Sequence, residues 1–184
     1  MYINIKDIRA VHEKGEKLDF LFFWGHTESK IGNLDSFCLS QWYPAVFEVE
    51  GIRYANAEQY MMAGKAKLFD DGEMLARILE TTNPKNIKAL GRKIKSFNEE
   101  TWNANRFQIV TQGSIAKFSQ NMAMKQFLLS TGDRILVEAS PFDNIWGIGM
   151  GKDNENAKNP MKWRGANLLG FALMEAREYI RLEG

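Results

Sequence analysis

The sequence predicts a mainly helical α+β domain, with a small β-sheet or hairpin packed against helices. Three observations predict it: four segments with helical spacing and recognisable caps, one alternating hairpin signature, and two short apolar runs that read as strands. At 184 residues the chain has the length of one domain, taken as residues 1–184, and can bury about 70% of its unfolded surface.

In chain order, DFLFFWG (Asp19 to Gly25) is too short and aromatic for a helix and reads as a buried strand. AVFEVEGIRYAN follows. Val46 and Glu48 alternate with Phe47 and Val49, Glu50-Gly51 turns the chain, and Ile52 and Tyr54 resume the alternation, which predicts a hairpin. Asn56 with Gln59 three residues on predicts a capping box opening a helix over about Ala57 to Phe69. Asn83 caps the next helix, with Pro84 in its first turn, where a missing N–H costs nothing. Asn98 or Thr101 starts one long helical segment, in which Trp102, Arg106, Ile109 and Gly113 recur at helical spacing and Gly132 supplies the end. RILVEAS then reads as a strand, PFDNIWGIGMG as a glycine-rich loop, and NLLGFALMEAREYIRLE as a last helix.

Composition narrows the function classes. Hydrophobic residues are 45% and charged residues 26%, the balance of an ordinary soluble globular protein. Twenty-four basic against 23 acidic residues leave a formal charge of +1, which gives no global reason to expect nucleic acid or an anionic membrane as partner. One cysteine, Cys38, excludes an internal disulfide, and two histidines are too few for a His-rich zinc site, so a metal-independent mechanism without cofactor is expected. The charged N-terminal stretch reads neither as a secretory signal nor as a membrane span, and a cytoplasmic setting is the expectation. The sequence contains no G-x-S-x-G, no H-E-x-x-H and no G-x-x-x-x-G-K-[ST], and GIGMG lacks the dinucleotide spacing.

Several residues remain as candidates for chemistry. Glu58 and Lys65 lie seven positions apart on the helix capped by Asn56, two turns and about 700° of rotation, so both project from one face about 10 Å apart. That spacing suits two groups reaching one ligand; two solvated charges on an amphipathic helix is the alternative. Asp143 stands beside Trp146 in a loop whose Gly147, Gly149 and Gly151 serve either close backbone approach to a phosphate or sugar, or a tight turn. Trp163, Arg164 and Asn167 precede a helix N-terminus, where N–H groups and a guanidinium can hold an anion, or where the three simply pack a corner. Arg92 and Arg106 read as solvated unless the fold gathers them, and Cys38 reads as an inert buried thiol.

Taken in order, FLFFWG, LSQWYPAVFEVEGIRYANAEQYMMAGKAKLFDD, ALGRKIKSF, the Trp102–Arg106 spacing, KFSQN, LLSTGDRILVEASPFDNIWGIG and WRGANLLGFALMEAR resemble the NADAR family, also called YbiA-like, over about residues 20–177. The resemblance implies a mostly helical fold and N-glycosidase activity on ribosylamine-type substrates. Phosphorylated intermediates of riboflavin synthesis are the substrates in one branch, and ADP-ribosyl groups on guanine, including ADP-ribosylated nucleic acid, in another. By motif it implies Glu58, Lys65 and Asp143 as catalytic, and Trp102, Arg106, Trp146, Gly147, Gly149, Trp163, Arg164 and Asn167 as substrate-binding. One departure is LSQW, with Gln41 and Trp42, where the family has LSNF; it alters one pocket wall and so bears on substrate choice.

Cleaving a ribosyl C–N bond builds positive charge on the sugar, so a site needs an anion near C1, a proton donor for the leaving nitrogen and an activated water. Glu58 and Asp143 are the expected carboxylates, one staying ionised while the other delivers the proton. Lys65 is either a nucleophile that forms a transient imine with the opened sugar or an electrostatic clamp. A module that binds ADP-ribose or a nucleotide without cleaving it is the rival class, and would not need Glu58, Asp143 and Lys65 together.

Overall fold

The computed structural model describes residues 4–25 and 34–183, and the order of its elements follows from local signals. It runs α1 (Ile5–Glu13), β1 (Phe20–Phe23), a short 3-10 turn (Ser36–Leu39), β2 (Phe47–Val49), β3 (Ile52–Tyr54), α2 (Ala57–Leu68), α3 (Gly72–Leu79), α4 (Pro84–Gly91), α5 (Glu99–Gln120), α6 (Met122–Ser130), β4 (Ile135–Glu138), a second 3-10 turn (Pro160–Lys162) and α7 (Leu168–Glu183). The mainly helical α+β class predicted from the sequence is the class observed.

The hairpin forms as expected. Phe47 pairs with Tyr54 and Val49 with Ile52, and Glu50 (φ 53°) and Gly51 (φ 75°) take the two left-handed positions that a tight two-residue turn requires. Asn56 caps α2 by accepting from the Gln59 N–H at 2.9 Å. The reciprocal arm of the expected capping box does not close on Asn56, however: the Gln59 carbonyl oxygen accepts from the Ala55 N–H at 2.7 Å. Its amide donates to the Ile78, Leu79 and Thr81 carbonyls, so Gln59 is spent tying α2 to the end of α3.

Three expectations are corrected. The single long segment ending at Gly132 divides at Asn121, whose backbone is extended (φ −119°, ψ 93°) and whose side-chain amide donates to the Lys117 and Val46 carbonyls. An asparagine that competes with the helical ladder in this way separates α5 from α6. Two further helices escaped the periodicity reading because they are short: α1, closed by reciprocal Asn4–Asp7 bonds, and α3, capped by Asp71. The run expected to be a buried strand is only partly covered, since β1 pairs with β4 alone and only Phe23 is buried.

β1 and β4 run parallel, with Phe20 opposite Ile135 and Phe23 opposite Glu138. α7 seats on β4 so closely that a Cβ at Gly170 would collide with the Leu136 carbonyl. α5 packs against both α2 and α7, and the buried side chains of these elements form the core, with Phe47, Tyr54, Phe118, Leu136 and Phe171 among its best-covered members. No helix among the described residues is long and apolar enough to cross a membrane. This arrangement brings the N-terminus of α2, the length of α4, the end of β4 and the loop after it to one place.

Candidate active site

Glu58 sits in the first turn of α2 and is 3% exposed. Its own N–H donates to the Gln41 carbonyl at 3.0 Å, and the Trp42 side chain hydrogen-bonds its carboxyl, so the Gln41-Trp42 pair that departs from the family pattern forms one wall here. Oε1 of Glu58 is enclosed without a hydrogen-bond partner. Burial, and secondarily the neighbouring Asp143, push its pKa up to about 7, against the pull of Lys88, the Trp42 bond and Arg92. The solvated-charge alternative therefore does not describe Glu58.

Asp143 is partly exposed in the loop after β4. Its Oδ1 accepts from the N–H groups of Ile145 (2.8 Å) and Trp146 (2.7 Å), an Asx turn that fixes where the carboxylate stands. Arg106 of α5 is within electrostatic reach of it, and burial lowers the Arg106 pKa. Glu138 closes β4, and its Oε2 is likewise enclosed and unpartnered. Burial, with Asp143 and Glu58 adding to it and Lys88 opposing, pushes the Glu138 carboxyl up to about 8. Three carboxyls from α2, β4 and the following loop thus share one electrostatic neighbourhood with Lys88.

Lys65 takes a different position from the one its spacing suggested. The shared face of α2 does look onto α4, but Lys65 Nζ donates to the Gly91 carbonyl at 2.9 Å. It lies 4.2 Å from the Phe97 ring centre and 5.5 Å from that of Trp102. Burial lowers its pKa, and the charges acting on Glu58 are Lys88, Asp143 and Arg92. Trp102, almost fully buried, therefore serves as part of the Lys65 cage.

The remaining predicted positions hold the loop. Asn167, 0% exposed and left-handed (φ 54°), accepts from the Glu138 N–H at 3.0 Å and donates to the Leu136 carbonyl at 2.9 Å, bracketing the free edge of β4. Trp163 is buried, its indole N–H on the Ala157 carbonyl at 2.7 Å and its ring edge toward Phe20. The N–H groups before and at the start of α7, from Arg164 to Leu169, donate to carbonyls of Asn144, Ile145, Trp146, Gly147 and Ile148, so the anion site expected there is filled by the protein's own loop. Gly147 is required by close packing: a Cβ would lie 2.8 Å from the Glu138 carbonyl and 3.1 Å from that of Asp143. Gly149 (φ 69°) needs glycine conformationally and abuts Asn144 and Arg164. Arg164 is exposed and Trp146 partly buried.

Sequence reasoning missed Lys88 and Glu138. Each looked ordinary locally, Lys88 as a surface lysine of α4 and Glu138 as the polar end of a strand, and only the tertiary fold joins them. At the rim, Trp24 (50% exposed) and Phe142 (87% exposed) extend from the ends of β1 and β4 with ring centres 6.2 Å apart. Among the described residues no group of three or more histidine, cysteine or carboxylate side chains is arranged to hold a metal ion.

The family model described as the NADAR domain matches residues 22–181. The chain is 42% identical to the N-glycosidase R617 of Acanthamoeba polyphaga mimivirus over 86% of its own length and 95% of that protein's. It is 31% identical to the N-glycosidase Npun_R5314 of Nostoc punctiforme, over 78% and 85% respectively. The NMR structure of the Escherichia coli protein YbiA superposes with a TM-score of 0.70 at 23% identity, covering 100% of this chain and 95% of that one, a likeness of fold.

Proposed function

The chain belongs to the NADAR family, and from that premise we propose that it is a hydrolase of N-glycosyl compounds that cleaves the C–N bond between ribose and a base-like amine. The observation that carries this reading is Glu58: a buried carboxyl held near neutrality, bonded by Trp42 but with Oε1 unpartnered, in the electrostatic neighbourhood of a second, fixed carboxylate, Asp143. A group titrating near the working pH is suited to exchange protons with water or a leaving group. Asp143, set by its Asx turn, offers negative charge to the sugar as it becomes cationic. Lys65 is held either to clamp the ligand or, its neutral form favoured by burial, to add to the opened sugar as an imine.

Around these groups Lys88, Arg92 and Arg106 provide cations suited to phosphates, exposed Arg164 beside Gly149 offers another, and Trp146 and the rim pair Trp24–Phe142 offer flat surfaces to a base. Trp102, Trp163, Asn167, Gly147 and Gly149 act by holding these groups in place. The substrates proposed are phosphorylated ribosylaminopyrimidine intermediates of riboflavin synthesis and ADP-ribosyl groups on guanine. The whole chain, 1–184, is taken as one catalytic unit; a cytoplasmic, reducing setting accords with the free, buried Cys38.

The test is product analysis by mass spectrometry on a panel of ribosylaminopyrimidine phosphate, ADP-ribosylated guanine and free ADP-ribose, run beside thermal shift. Release of free amine and sugar is expected. Stabilisation by a panel member with no cleavage of any would overturn the reading in favour of a binding module.

A further inference from the structure

We infer that Glu138 is the group that protonates the leaving nitrogen, leaving Glu58 to activate the water. This rests on the N-glycosidase reading above. Glu138 Oε2 is enclosed and accepts no hydrogen bond, an arrangement that a structural glutamate avoids because an ionised oxygen deprived of water and partners is costly. A protonated carboxyl relieves that cost and is at the same time a proton donor. The groups facing it are Glu58 from α2, Lys88 from α4 and Asp143 from the following loop; two of the three are acidic and oppose a further negative charge.

Burial first, and those carboxyls next, push Glu138 up to about 8, whereas Glu58, steadied by Lys88 and Trp42, is pushed to about 7. Trp42 hydrogen-bonds the Glu58 carboxyl and favours its ionised form, whereas Glu138 Oε2 accepts nothing, so Glu58 is suited to act as base and Glu138 as donor. The backbone under Glu138 is held on both sides. Its N–H donates to Asn167 Oδ1 at 3.0 Å, its carbonyl accepts from the Ile148 N–H at 2.9 Å, and Gly147 lies against it with no room for a side chain.

The step balances. The C1–N bond breaks with its electron pair passing to nitrogen, which takes the Glu138 proton; water oxygen bonds to C1 and gives its proton to Glu58. Products are the free amine and the sugar with a hydroxyl at C1, and the proton on Glu58 returns through solvent to Glu138.

Glu138→Gln should lose about 10²-fold in kcat/KM on a ribosylaminopyrimidine, whose leaving nitrogen needs a proton. On nicotinamide riboside, whose pyridinium leaves neutral without one, it should stay within about threefold of wild type, a split that a general structural defect would not produce. Equal loss on both substrates, or none on either, overturns the proposal. Carbon-13 NMR of the wild-type glutamate carboxyls reports independently of whether the variant folds: one signal titrating near pH 8 is expected, and all midpoints below about 6 would refute it. Absence of cleavage by the wild type would instead overturn the N-glycosidase reading itself.

Discussion

Glu58 illustrates how a residue's chemistry is made by what surrounds it. Its folded pKa is raised from 4.5 to about 7, chiefly by burial, so the stability tied to its neutral form is full below about pH 4.5 and is lost as pH rises through 7. Glu138, raised to about 8, acts with the same sign over a window extending one unit higher. Glu58→Gln is therefore expected to raise the melting temperature at pH 8, while having little effect at pH 5, and to reduce turnover by about 10²–10⁴-fold. Thermal melts at the two pH values check the first part. Lys65→Arg keeps the charge against Phe97 and Trp102 but forms no stable imine, so turnover close to wild type would leave Lys65 as a clamp only. Glu58 was legible in the sequence because its cap and helical position are local. Glu138 was not, since its raised proton affinity comes from burial first, then from Asp143 and from Glu58 of α2, which lies 80 residues earlier in the chain.

Two elements keep the carboxyls in register. The 3-10 turn Ser36–Leu39 and the residues after it form a strap whose Gln41 carbonyl and Trp42 side chain hold Glu58. Lys117 of α5, 1% exposed, fastens that strap by donating to the Cys38 and Ser40 carbonyls at 2.7 and 2.8 Å. Lys117→Ala removes both bonds and leaves two carbonyls to find new partners, at about 1–3 kcal/mol each if they remain buried. Faster chymotryptic cleavage at Phe37, Trp42 or Tyr43 is expected, read by limited proteolysis; an unchanged cleavage rate would mean that the strap holds without Lys117. The second element is the loop from Ser140 to Gly149. Gly147→Ala would press on the Glu138 and Asp143 carbonyls, both backbone, and should lower activity and melting temperature together, as circular dichroism and turnover would show. The sequence marked this loop through its glycines and Asp143, yet its packing against the start of α7 depends on pairings that no local pattern carries. The same limit hid α1 and α3, too short for periodicity to stand out, and merged α5 with α6, because Asn121 ends a helix through its bond to the Val46 carbonyl, a contact 75 residues away in the chain.

At the scale of the molecule, a nearly neutral chain gathers several charged groups of both signs in one region. Glu58, Glu138, Asp143, Lys88, Arg92 and Arg106 come from α2, β4, a loop, α4 and α5, and the parallel pairing of β1 with β4 places the rim aromatics beside them. Fold class was readable from caps, the hairpin and the ordered motifs, because these are properties of short stretches. The convergence of the site was readable only through family resemblance. The central claim is that Glu58 works on water in the cleavage of an N-ribosyl bond, and kcat/KM against pH for wild type and Glu58→Gln tests it most directly. The wild type should lose about tenfold per pH unit below about pH 7 as Glu58 takes up a proton, and the variant should lose both this limb and at least about 10²-fold in rate. A variant that keeps more than about a tenth of wild-type activity, with the acidic limb intact, would contradict it.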